Sequence, residues 1–199
     1  MNNHFWWYVA RSAGITAWVA IMGSMLTGFG LTIATIRRWL RVRELLVLHR
    51  YCGALSVVAT ALHITGLVAD RYVAFGVVTV LLPLASQWRP GPVAWGVVAM
   101  YLLILIEGSS LLRGRISPIR WRKLHALSHP LAFFATVHFL SAGTDARRLV
   151  PLWAAVGIGG IVLAVTSWGV ARSDRALLAA EQRRESRSET STDATERLH

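Results

Sequence analysis

The stretch LLVLHRYCGALSVVATALHITGLVA, residues 45–69, decides the fold. It runs for 25 residues with Arg50 as its one formal charge. That is long enough to cross a bilayer as a helix, which takes roughly 20 apolar residues. Two histidines interrupt it, His49 and His63. At helical geometry they lie about 21 Å apart along the axis and roughly 40° from a shared face. Ionisable side chains inside a membrane segment are costly and mark functional positions.

The flanks repeat the pattern. Apolar runs occupy residues 5–36, 73–86, 93–112, 124–141 and 149–171, separated by short basic or Gly/Pro-rich breaks. The chain is 54% hydrophobic and 16% charged, with 9 Trp, and its mean hydropathy is +0.48. A soluble domain has no use for so much apolar surface, whereas a bundle of bilayer-spanning helices does. The net charge of +11 does not point to nucleic acid, because the arginines sit in short loops between apolar runs. The positive-inside rule explains them. The basic loops 37–43 and 113–123 therefore both face the cytoplasm, and an even number of crossings must separate them. Runs 45–69 and 93–112 supply two. Run 73–86 is short, carries Pro83, and reads as a re-entrant or interfacial segment on the outer face.

The expected fold is all-α: a polytopic helix bundle with about five crossings and the N-terminus outside. Residues 1–171 form the membrane domain, and 172–199 form a polar, partly disordered cytoplasmic tail that balances six arginines against six acids. Trp6, Trp7, Tyr8, Trp88 and Trp153 fall at the outer boundary, and Trp39, Trp121 and Trp168 at the inner one. Met1–Tyr8 lacks the basic region of a cleaved signal, so the first run is expected to stay. Cys52 is the only cysteine, which excludes an internal disulfide, a thiolate cluster and a CxxC redox pair.

Run 124–141 carries its own histidines, His125 and His138, with His129 one turn after the first. A spacing of 13 leaves His125 and His138 off a shared face in a regular helix. Pro130 lies between them, and a proline-linked irregularity could restore that face. Both His-bearing runs start from the cytoplasmic side, so His49 matches His125 in depth near the inner face and His63 matches His138 near the outer face. Four imidazoles in two layers suit the axial ligation of two haems, and filling both axial positions favours electron transfer over oxygen binding. His129 remains an alternative to His125. Gly53 and Gly66 could leave room for porphyrin faces, or simply ease helix packing.

These residues resemble the ferric reductase-like transmembrane domain family, which includes ferric-chelate reductases, the membrane part of NADPH oxidases and the haem subunit of the periplasmic methionine sulfoxide reductase system. The resemblance covers about residues 6–171. It rests on Tyr8, Arg11 and Gly14, on Leu48-His49-Arg50 and Leu62-His63, and on Leu82-Pro83-Leu84-Ala85-Ser86. It also takes in Trp121, Leu124-His125, Ser128, His138 and Gly143-Thr144-Asp145. It implies two haem b groups and electron flow from a cytoplasmic flavin or quinol to an acceptor outside. Only a polar tail follows the last apolar run, so the FAD- and NADPH-binding domains of larger members are not expected here. The expectation is an electron-transfer subunit in the cell (plasma or inner) membrane, served by lipid and by a flavoprotein or other redox partner. The competing expectations are a self-contained ferric or oxygen reductase and a non-redox haem carrier.

Other charges inside the apolar runs are candidates for supporting roles. Arg11 could meet the outer haem's propionates, and Arg50, Arg120 and Arg122 the inner ones. Snorkelling and orientation are the plainer uses of the same residues. Glu107 could bind a quinol or relay protons, or pair with a nearby arginine.

Overall fold

The computed structural model describes residues 4–32, 41–70 and 75–143, together with Gly157 and Gly160. The chain divides into two compact units, Met1–Val150 and Pro151–His199, and the helices between residues 5 and 142 all belong to the first. The run 149–171, the tail 172–199 and Trp39, Trp153 and Trp168 lie outside the described residues.

Every regular element among the described residues is helical. α1 is Phe5–Thr32, α2 is Val42–Ala69, α3 is Val77–Leu81, α4 is Pro90–Leu111, α5 is Pro118–His125 and α6 is Ser128–Ala142. A 3-10 turn, Arg113–Arg115, links α4 to α5. Three of these helices, α1, α2 and α4, are long and apolar enough to cross a membrane. The five residues of α3 cannot cross, since at 1.5 Å per residue they rise only about 7 Å.

The packing is the reverse of a soluble core. The buried face of α1 is made of Ala10, Ala13, Ala17 and Ala20, joined by Trp18 and Ile21. Val19, Leu26, Val58, Leu62, Ile104 and Phe133 point outward and are more than half exposed. Small residues inside and large apolar ones outside are what helices need when lipid is the solvent, because backbones must approach closely to gain packing energy. The closest approach is at Gly66 on α2, where an added β-carbon would lie 2.8 Å from the Ala10 backbone nitrogen. α1 and α2 run antiparallel, with Gly14 opposite His63, Gly23 opposite Cys52 and Gly28 opposite His49. α4 and α6 are also antiparallel: Trp95 stacks on Phe134, and the Arg89 guanidinium donates to the Ser141 carbonyl at 2.8 Å. α1 joins the two pairs through Trp18, whose indole Nε1 donates to Thr136 Oγ1 at 3.1 Å and whose ring stacks on Phe139.

The run 124–141 is not one helix. It breaks at Ala126–Leu127, between α5 and α6. There the Leu127 N–H donates to Leu124 and the His129 N–H to Ala126, three residues back instead of four. Each 3-10 residue turns about 20° further than an α residue, which moves His138 toward the face of His125. Pro130 explains the position of the break. It has no N–H to give the Ala126 carbonyl, and it sits in the first turn of α6, where none is required.

The connection from α3 to α4 carries left-handed backbone at two residues other than glycine, Leu84 (φ 67°) and Arg89 (φ 44°). Arg89 turns the chain into α4, which then opens on Pro90. The Ser86 hydroxyl steadies this turn, donating to the Trp88 carbonyl at 2.7 Å and accepting from its N–H. Ser117 plays a similar part at α5, where its hydroxyl accepts from the Arg120 N–H ahead of Pro118.

Candidate functional site

α2 carries His49 and His63, α5 ends on His125 and α6 carries His138; α2 and α6 run in the same direction, and the four imidazoles face one another as two pairs. His49 faces His125 with ring centres 5.9 Å apart and planes at 70°. His63 faces His138 at 6.3 Å and 75°. Two imidazoles hydrogen-bonded nitrogen to nitrogen would have ring centres only about 5.1 Å apart. With a metal between them, bonds of about 2.0 Å on each side and ring centres about 1.1 Å further out give about 6.2 Å. Both pairs match the second figure. Among the described residues, no three His, Cys, Asp or Glu side chains converge to hold a metal ion. Two opposed imidazoles suit an iron whose other ligands come from a macrocycle.

Three of the four rings are anchored in one repeated way. The His63 Nδ1–H donates to the Ala10 carbonyl at 2.6 Å, His49 to Ser24 at 2.9 Å, and His138 to Pro92 at 2.7 Å. In each case the residue four positions after that carbonyl is a glycine: Gly14, Gly28 and Gly96. Its missing side chain makes the room. A β-carbon on Gly14 would lie 2.8 Å from His63 Nδ1, and one on Gly96 would lie 2.7 Å from the His138 ring. At Gly28 the gap is 3.4 Å, and the Ser24 hydroxyl also reaches His49 Nδ1 at 3.2 Å. A carbonyl inside a helix already accepts from the N–H four residues on, and its second lone pair takes the imidazole proton. With the proton held on Nδ1, the Nε2 lone pair is left for a metal.

His125 differs. Its Nδ1 is buried without a hydrogen-bond partner among the described residues, as is the Nε1 of Trp121 one turn earlier. The two rings stack at 4.9 Å, and the Arg113 guanidinium lies over the Trp121 ring at 4.4 Å. His129 does not face His49. Its ring nitrogen turns back to the Ala126 carbonyl at 3.1 Å, the acceptor that Pro130 leaves short of a donor, and its ring meets Phe29 edge-on.

The remaining sequence candidates separate clearly. Arg11 packs over the Trp7 ring at 4.9 Å. Arg50, Arg120 and Arg122 are exposed, and so is Arg113, which motif reasoning passed over and whose guanidinium lies over the Trp121 ring within electrostatic reach of His125. Glu107 forms no ion pair with a described arginine. Its carboxylate lies against α2 at Gly53, where an added β-carbon would meet Oε1 at 2.6 Å, and within electrostatic reach of His49. Gly53 and Gly66 thus accommodate a carboxylate and a neighbouring backbone, while Gly14, Gly28 and Gly96 serve the imidazoles. A signal for Gly14 and Gly28 was present: they are spaced by 14 residues, as are His49 and His63. In an antiparallel pair that spacing places glycine opposite histidine twice.

Comparison with protein-family models, with curated proteins and with solved structures finds no match to this chain.

Proposed function

We propose that the chain is the membrane subunit of an oxidoreductase system, a b-type cytochrome with one haem between His63 and His138 and another between His49 and His125. It passes electrons across the cell membrane from a flavin or quinol donor inside to an acceptor outside. The observation that carries this reading is the doubled pairing of imidazoles at metal-bridging separation, with α2 on one side and α5 and α6 on the other. Each haem, when bound, supplies an iron that gains or loses one electron while keeping its ligands.

The chain's own residues do the rest. His49, His63 and His138 are held by the Ser24, Ala10 and Pro92 carbonyls, so their rings need not reorganise when charge moves. An imidazole on either side would hold each haem and leave oxygen or a chelate no place to bind its iron. Trp18, Phe139, Ala13 and Ala17 close the bundle on the α1 side. In this reading the chain makes five crossings with its N-terminus outside, and the basic segments 37–43 and 113–123 lie on the cytoplasmic side. Arg11 then lies on the side of the outer propionates, and Arg50 and Arg120 on the side of the inner ones.

The test is spectroscopic, on the full chain purified in detergent. A haem-to-protein ratio near two with a reversible low-spin b-type spectrum is expected, and an absence of haem overturns the reading. Dithionite-reduced protein should reoxidise slowly alone and faster with a flavoprotein partner. Rapid reoxidation by ferric chelate or oxygen would instead mark a complete reductase.

A further inference from the structure

We infer that the two sites are electronically unequal, with the outer pair, His63 and His138, holding its iron at the lower reduction potential. The inference rests on the dihaem reading and specifies it. An Nδ1–H that donates to a fixed carbonyl makes its imidazole a stronger electron donor and so favours the ferric state. The outer pair has two such bonds, to Ala10 and Pro92. The inner pair has one, from His49 to Ser24, because His125 Nδ1 has no acceptor among the described residues.

Other influences act at both sites. All four histidines are half-buried by exposure, but more protein surrounds His63 and His138 than His125, which favours the ferrous state at the outer pair and works against this order. At the inner pair, Arg113 lies within electrostatic reach of His125 and favours the ferrous state, while Glu107 acts on His49 in the opposite sense. These two charges act in opposite senses, and the inference rests on the hydrogen-bond difference. His125 is also the last residue of α5, immediately before the break, whereas the other three lie within continuous helix. The inner haem should therefore be both the easier to reduce and the first to dissociate. Gly14 and Gly96 are positioning residues in this scheme, acting on the iron only through the imidazoles they admit.

A redox titration of the purified protein, followed in the α-band, tests this. Two waves are expected, separated by at least a tenfold difference in the ferric-to-ferrous ratio, about 59 mV for a one-electron couple. His63→Ala should abolish the lower wave. Gly14→Ala should raise the lower wave and leave the upper one in place, and it makes the assignment even where a histidine variant loses both haems. Coincident waves overturn the inference, as does loss of the upper wave in His63→Ala or a shift of the upper wave in Gly14→Ala. A protein without haem would instead overturn the dihaem reading itself, so the two failures are distinguishable.

Discussion

Gly14 lies directly against the His63 imidazole, so close that a β-carbon there would sit 2.8 Å from Nδ1, and this contact on neighbouring helices lets the ring reach the Ala10 carbonyl that takes its Nδ1 proton. The relationship recurs at Gly96 with His138 and, less tightly, at Gly28 with His49. Gly14→Ala and Gly96→Ala should each weaken haem binding at the outer site by about 10- to 100-fold, the usual cost of losing the group that orients a metal-bound histidine. Gly28→Ala should cost less, because its 3.4 Å gap is ordinary contact. Gly108→Ala, with nothing within 4 Å, is the control. Haem per protein after extensive washing is the measurement, and equal retention in all four variants would argue against this role for the glycines.

Removing ligands should separate the layers. His63→Ala or His138→Ala is expected to leave one haem per chain, with the retained spectrum assigned to His49 and His125. Full haem content in all four single His→Ala variants would refute the ligand assignment.

Pro130→Ala restores an N–H that can donate to the Ala126 carbonyl. The three-residue bonding around Ala126–Leu127 should then relax toward regular helix, turning His125 away from His49. The expected result is loss of the inner haem with the outer one kept, read from the α-band spectrum and haem content.

Thr136→Val removes the hydroxyl that accepts from the Trp18 indole N–H at a part-buried helix contact. Hydrogen bonds between membrane helices contribute on average about 0.6 kcal/mol and at most about 1.7. A small drop in stability is therefore expected, measured by unfolding in mixed detergent, with both haems retained. Gly66→Leu should be far more damaging, because its side chain would enter the Ala10 backbone and separate α1 from α2.

Much of the fold is legible in the sequence. The apolar runs and their breaks reveal helices, since backbone groups in lipid must be satisfied within the segment. The 14-residue step from His49 to His63 places both on nearly one face by helical arithmetic alone. For His125 and His138 the same arithmetic fails, and Pro130 points to an irregularity without locating it. The break at Ala126–Leu127 follows from Pro130 having no N–H for the Ala126 carbonyl, which meets the His129 N–H and ring nitrogen instead.

Periodicity and composition, which are local properties, determined the helices and the spacing of the histidines along them. The facing of His49 with His125, the choice of Ala10, Ser24 and Pro92 as anchors, and the lack of an anchor at His125 depended on how helices far apart in the chain pack together. A carbonyl in one helix can receive a proton from another only where a glycine lets the ring approach. That complementarity belongs to a pair of helices, so no single run of sequence contains it.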